Sequence, residues 1–433
     1  MRIPVLIALA AGAVCLSAAV IGASTSAESL TAQRIATLPP KQQAVWMAYL
    51  DKSVRQMKVD RGVLDAELKT AGLSEPLLPP GGNSARSTPL NRPAEWYATP
   101  EARHIADIIV SFQTPAGGWS KNLNFSDHVR RKGEHFAGNS LSHYLAPDDF
   151  DTPRDPKWNY VGTLDNDATN TQLQFLARVA SRDSPDSVPY RASFLRGVEY
   201  LLAAQYPNGG WPQVYPLEGG YHDAITVNDG AVGETLRLLN EVARGKNPYQ
   251  FTPDSGRKRA AAAVVRGVDC MIAAQIVENG HRTVWGQQHD QLTLKPVSGR
   301  NYEPAAQCSS ESAALLEFLM DLPNPGPPVV NAVHDAVAWL RKVAIHGQAY
   351  VRGPEGSHLV ASADAPAIWA RFYEIGADRP VFGDRDKTIH DSVEELSRER
   401  RLGYSWYNSA PQAALDRYDQ WSKTHPAAKE SAR

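Results

Sequence analysis

Residues 113–122, QTPAGGWSKN, and residues 205–216, QYPNGGWPQVYP, decide how this chain folds. Each follows an apolar segment with helical spacing, 102–113 in the first case and 190–205 in the second. A third segment, 266–275, ends in glutamine as well and runs into a longer loop holding Trp285. The repeated unit is therefore a helix, a glutamine, and a turn rich in Gly, Pro and Trp. Helices repeating in this way pack as hairpins about a common axis. The unequal intervals point to a closed α/α toroid and away from an open solenoid. Further helices fit 170–180, 230–244, 311–320 and 332–345, and strand signals are sparse. The expected class is all-α, with long functional loops and few short strands.

Upstream, residues 28–73 read as an N-terminal helical extension, with Val45, Met47, Leu50 and Val54 at three- and four-residue spacing. Residues 74–93, SEPLLPPGGNSARSTPLNRP, read as a linker or an extended strap. The catalytic body is expected over 94–425. Residues 1–27 carry one Arg, an apolar run and a small-residue exit. That is the pattern of a secretory signal peptide, cut after Ala23 or Ala27, and it implies a secreted or periplasmic protein. Val14 precedes Cys15, where a lipoprotein would carry Gly or Ala. No later segment is long and apolar enough to span a membrane. Cys270 and Cys308 remain after processing, and their pairing is open.

The formal net charge of −2 gives no global field to recruit nucleic acid. An acidic ligand would have to be held by a few local cations. The 10 Trp and 16 Tyr suit either a large aromatic core or a carbohydrate cleft.

Four constellations carry chemistry. In 162–169, GTLDNDAT, the oxygens of Asp165, Asn166 and Asp167 at a helix start suit a hard cation, or else a helix N-cap. In 222–230, HDAITVNDG, Asp229 stands at another helix start. Two acidic helix starts on a repeat scaffold meet at one end of the barrel. Converging carboxylates persist only with a cation or a shared proton. In 297–304, VSGRNYEP, Arg300 occupies a Gly/Pro-bounded loop. From 367 to 407, Arg371, Arg385 and Arg401 alternate with aromatics, matching carboxylates and sugar faces. Lys121, after the first GGW turn, is a further cleft cation.

Together the segments QTPAGGWSKN, VGTLDNDATNTQLQFLA, QYPNGGWPQVYPLEGGYHDAITVND, RNYEP, WARFYEIGADRPVFGDRD and ERRLGYSWY resemble the family-ten polysaccharide lyases, which are pectate lyases. The resemblance spans residues 95 to about 410 and implies an (α/α)3 toroid. It also implies Ca2+-dependent anti β-elimination on polygalacturonate, giving 4,5-unsaturated oligogalacturonides. Carried across, Arg300 is the catalytic arginine. Asp167 and Asp229 are the acidic residues of the calcium and active centre, with Asp165 close by. Arg371, Arg385 and Lys121 are substrate-binding residues. The same motifs bring in Tyr302, His222 and Arg401 as further substrate contacts. After RNYEP the chain departs from the family, with AAQCSSES where a Leu/Ser-rich stretch is usual. Arg300 or Lys121 would be the base, with an alkaline optimum, because a guanidinium releases its proton only above about pH 12. The protein is expected to act as a monomer. The alternatives are an α/α-toroid glycoside hydrolase using Asp167 and Asp229, and a non-catalytic carbohydrate-binding protein.

Overall fold

The structure, a computed structural model, describes residues 22–138, 145–182 and 187–427. Most of the expected signal segment, 1–21, lies outside the described residues.

Nine long helices set the architecture of the described residues: α1 (Pro40–Ala71), α2 (Pro100–Ser111), α3 (Asn170–Ala180), α4 (Val188–Ala204), α5 (Ala231–Arg244), α6 (Asp254–Ala274), α7 (Ser309–Asp321), α8 (Pro327–Lys342) and α9 (Ala410–Trp421). Three consecutive hairpins, α3/α4, α5/α6 and α7/α8, form the ring. Their first helices meet each other in turn, α3 against α5 and α5 against α7. Their second helices do the same outside, α4 against α6 and α6 against α8. A helix in the inner ring has protein on every side, so it buries residues all round. In α3 only Gln174 and Arg178 escape full burial. The result is an all-α, α/α toroid.

The repeated turns explain why the ring closes. The Gln113 amide donates to the Gly117 carbonyl of its own turn at 2.8 Å and to Ser193 of α4 at 2.9 Å. Gln205 does the same to Gly209 and to Ala263 of α6, both at 2.9 Å. Gln275 donates to Thr283 at 2.8 Å and to Ala332 of α8 at 2.9 Å. Each glutamine thus ties its turn to the next outer helix and satisfies carbonyls that water cannot reach. The tryptophans add a second tie, back to the helix just left. Trp119, Trp211 and Trp285 donate to the carbonyls of Ile109, Leu201 and Met271 at 2.7, 2.8 and 2.6 Å. Trp369 repeats the contact to Leu340 at 2.8 Å, without a preceding glutamine.

Glycine makes room for the indoles. A Cβ on Gly267 would sit 2.7 Å from the Trp211 ring, and one on Gly197 would sit 3.1 Å from Trp119. These Trp residues are core plugs. Trp211→Ala is expected to cost about 3–5 kcal/mol, read as a lower midpoint of chemical denaturation.

The N-terminal segments lie on the ring. α1 buries Trp46, Tyr49, Ser53, Asp60 and Leu64, whereas Val45 and Val54, expected on its apolar face, are exposed. The Tyr49 hydroxyl and the Lys52 ammonium bind the carbonyls of Ala204 and Ala203 at 2.8 and 2.6 Å, which fixes the face. Residues 74–93 run as a strap, with Leu77 bridged to Glu134 and Gly81 to Leu123. Farther upstream, the Leu30 N–H reaches Asp223 at 2.9 Å. The strands are short; a five-stranded sheet runs in the order Gly22–Ala23, Thr388–His390, Pro380–Gly383, Phe372–Tyr373, Gln307–Cys308. Cys270 and Cys308 are both free and buried.

Candidate active site

All three inner helices begin at the same end of the ring, and each start carries an acid. Before α3 the chain turns through Asp165–Asp167, before α5 through Asn228–Gly230, and α7 itself opens on Ser309 with Glu311 in its first turn. The acids are not caps: neither the Thr169 nor the Gly230 N-cap makes a side-chain capping bond. The backbone is strained here, with positive φ at Asn166, Asp167, Thr169 and Asp229. For β-branched Thr169 the conformation is held by its hydroxyl, which accepts from Trp119 N–H at 2.9 Å and donates to the Thr163 carbonyl at 2.8 Å.

These starts open into a cleft of about 540 Å³. Five cations face it: Lys121, Arg300, Arg371, Arg385 and Arg400. Lys121 pairs with the buried Asp165 and sits 3.5 Å from the Tyr160 ring centre. Gln213 donates to the other Asp165 oxygen at 3.0 Å. Burial would push the Asp165 carboxyl up, but the charge and hydrogen bond of Lys121, with the Arg300 charge and the Asp229 hydrogen bond, together hold it below the ordinary range. Asp229 is exposed to the cleft, and the packed protein beneath it desolvates its carboxyl. Burial, then the charge of Asp165, pushes it up to about 7. Two carboxylates this close behave as a pair sharing one proton.

Arg300 is gripped by Glu303. Its Nε and terminal nitrogen donate to the two carboxylate oxygens at 3.1 and 2.6 Å, and its backbone N–H adds a third bond at 2.8 Å. The Tyr404 hydroxyl also donates to Glu303, at 2.8 Å. Burial would raise the Glu303 carboxyl, but the Arg300 charge brings it down to about 2. Burial would lower the Arg300 guanidinium, yet the Glu303 charge holds it well above its usual value. A third of the Arg300 side chain still faces the cleft. Arg371 is held by Glu311 and by Asn228 at 2.9 Å. Arg300, Arg385 and Arg400 lie 4.9, 4.9 and 4.2 Å from the Tyr302 ring centre, so one aromatic ring aligns three guanidinium groups.

The cleft thus gathers Lys121, Asp165, Asp229, Arg300, Tyr302, Arg371 and Arg385 from the sequence candidates. Three candidates lie elsewhere. The Asp167 side chain lines a separate pocket with Arg86, Thr88 and Glu234, because its left-handed φ of 59° turns it away from Asp165. His222 stands behind the cleft wall, with ring centres 4.7 Å from Tyr160 and 4.2 Å from Tyr221. Arg401 packs against Gly356 of the Gln348–Ala361 hairpin region, and its neighbour Arg400 takes the cleft position. Arg400→Ala is accordingly expected to raise KM at least tenfold, while Arg401→Ala changes it less than twofold; initial rates across substrate concentration decide this. Glu303, Glu311, Arg400 and Tyr404 were not singled out from the sequence.

A model of the pectic acid lyase family matches residues 113–415. The chain belongs to that family. Among solved structures, this lyase is similar to a family 10 polysaccharide lyase from Cellvibrio cellulosa, at 29% identity and a TM-score of 0.64. The match covers 80% of this chain and 99% of that one. An aspartate-to-alanine mutant of the family 10 lyase from the same organism, in complex with trigalacturonic acid, matches equally: 29% identity, TM-score 0.64, 80% and 99% coverage. No curated protein matches the chain. The lyase has, among its described residues, no helix long and apolar enough to cross a membrane.

The raised carboxyls of this lyase also set a stability trend. Burial lifts Asp60, Asp223, Asp229 and Glu218 to about 6, 6, 7 and 8. Their folded values exceed the unfolded ones near about 4, so the stability they contribute is full below about pH 4 and is lost as pH climbs from about 4 to 8, most steeply below 6. The Tm of the chelator-treated lyase should fall across that window, and a scan of Tm against pH checks it.

Proposed function

We propose that this lyase cleaves polygalacturonate by Ca2+-dependent anti β-elimination, releasing 4,5-unsaturated oligogalacturonides. The observation that carries the reading is the convergence of five cations on the proton-sharing pair Asp165 and Asp229. The donors at the pair are hard oxygens, which suits calcium. Among the described residues no three acidic, His or Cys side chains gather as a metal cluster, so a substrate carboxylate would complete the shell. Bound there, the ion would neutralise charge building on the C-6 carboxylate as H-5 leaves.

The remaining work falls to the protein. Arg371, Arg385 and Arg400 present guanidinium forks to uronate carboxylates. Tyr302 and Tyr404 wall the cleft and keep those forks aligned. Arg300 holds the proton-transfer position, oriented by Glu303. The same carboxylate opposes loss of the guanidinium proton, which supports an alkaline optimum. Lys121, across the cleft beside Asp165, is the other nitrogen able to take H-5.

The hydrolase reading loses ground on geometry: Asp165 and Asp229 interact directly, whereas hydrolase carboxyls stand about 5–9.5 Å apart, and Asp167 faces another pocket. We assign the catalytic body to 94–425 and the helical extension to 28–73, in a monomer exported by the 1–27 signal. The test is incubation with polygalacturonate and calcium while ultraviolet absorbance is followed. A rise that a chelator abolishes is expected. No rise at any pH, or maximal activity near pH 5, would sink the reading.

A further inference from the structure

Two parts of the site that must act together come from different stretches of chain. Asp229 stands at the start of α5, and the pair Arg300 and Glu303 stands in the loop over 297–304. A three-stranded sheet leads into both. Its middle strand, Gln288–His289, pairs with Ile225–Thr226 on one side and with Pro296–Val297 on the other. Residue 287 enters that middle strand and so lies between the two approaches. It is a glutamine, 2% exposed, set behind the residues that line the cleft.

The backbone and the side chain of Gln287 do separate jobs. Its carbonyl accepts from the N–H groups of Val227 and Asn228 at 2.9 and 3.0 Å, which ties the turn before α5 to the sheet. Its side-chain amide reaches in two directions, donating to Asn228 Oδ1 at 2.5 Å and to Glu303 Oε1 at 3.3 Å. Neither contact leaves the orientation open. Glu303, ionised beside Arg300, can only accept, so the Gln287 nitrogen must face it. The Arg371 guanidinium, which can only donate, meets the same Asn228 oxygen at 2.9 Å. Asn228 is thereby turned so that its own amide donates to Asp229 Oδ2, at 3.0 Å.

A directed chain results, from Asp229 through Asn228, Gln287 and Glu303 to Arg300. Its three inner members are 5%, 2% and 2% exposed, so water does not compete for these bonds. The Gln287 Oε1, by contrast, is buried without a partner. The two donated bonds alone hold the side chain, and an apolar replacement would spare the fold that unpaired atom.

We propose that Gln287 is a positioning residue for the elimination, fixing Arg300 relative to the carboxylate pair that would hold calcium. H-5 leaves the carbon next to the carboxylate that the ion would neutralise, so base and cation must be placed together. A displacement of about 1 Å in such an arrangement costs up to about a hundredfold in rate. The inference rests on the elimination reading and adds to it a residue that never touches the substrate.

Gln287→Met keeps the length of the side chain and removes the amide. Its kcat on polygalacturonate with calcium, followed by ultraviolet absorbance, is expected to fall about thirtyfold. KM and trigalacturonate affinity should stay within about threefold, since Arg371 keeps Glu311 and neither Arg385 nor Arg400 is altered. Gln287→Asn, too short to span both acceptors, should behave alike. Asn228→Ala cuts the chain one link earlier. In that background Gln287→Met should cost less than about threefold more, whereas beside Arg400→Ala it should cost the full effect of about thirtyfold. A space-filling role would leave Gln287→Met near the parental rate. That result, full additivity with Asn228→Ala, or trigalacturonate affinity lost in both Gln287 variants would each overturn the proposal. A parent that gives no absorbance rise would remove the elimination reading first, and the proposal with it.

Discussion

Replacing Arg300 with alanine is expected to lower turnover of polygalacturonate by roughly a thousandfold, with oligogalacturonate affinity within about threefold of the parent. The guanidinium is held at two points by one buried carboxylate, which also binds the Arg300 backbone N–H, and a third of the side chain is left to the cleft. Its removal deletes the group at the reacting centre and leaves Arg371, Arg385 and Arg400 to bind the chain. Arg300→Lys should recover little, since an ammonium cannot reproduce the bidentate grip on Glu303. Glu303→Gln separates orientation from charge. It keeps the shape and removes the negative charge that holds the guanidinium proton. If Arg300 takes the substrate proton, turnover falls and the alkaline limb of the pH profile moves to lower pH. An Arg300→Ala variant that retains a tenth of parental turnover would remove Arg300 from the proton-transfer step. Continuous absorbance assays between pH 6 and 11 read all three variants.

Asp229→Asn should be nearly as damaging, cutting kcat/KM roughly a hundredfold or more and leaving residual activity insensitive to calcium. With one carboxylate gone, the donor pair no longer gathers the charge that a divalent ion needs. Asp229 is the safer choice because it opens to the cleft, whereas Asp165 is buried against Lys121, and its loss would strand that ammonium. The shared proton gives the parent a distinctive signature. A cation must displace the proton held near pH 7 on Asp229. Calcium affinity measured with trigalacturonate present should therefore rise about tenfold from pH 6 to pH 8 and level off above that. A pH-independent affinity, or a calcium response surviving in Asp229→Asn, would place the ion elsewhere.

The ring was legible in the sequence because its defining contacts are local. Gln113, Gln205 and Gln275 bond 4, 4 and 8 residues ahead of themselves, and Trp119, Trp211 and Trp285 bond 10, 10 and 14 residues back. Such spacing survives in a linear string. Trp369 was not legible, because its glutamine is missing. The cleft was readable where charge sits at a helix start, as at Asp165 and Asp229. It was misread where one backbone angle decides direction, as at Asp167, or one step of helix, as at Arg400 and Arg401. Glu303 carried a usable signal, an acid three residues after an arginine. Glu311 carried another, an acid at the third inner-helix start in register with the first two. The partner of Glu311, Arg371, lies 60 residues downstream, a contact that no local pattern encodes.

The Gln and Trp ties all sit at the end of the ring that carries the cleft, and the far rim consists of short connections such as 322–326. Asn324 lies there, exposed and with a φ of 52°. Both Cys270 and Cys308 are buried, and burial pushes the Cys270 thiol up to about 12. A cysteine introduced at Asn324 would therefore be the one readily labelled thiol among the described residues. Coupled to a bead or an electrode through that atom, every molecule would stand with its mouth toward the liquid, an orientation that random lysine chemistry does not give.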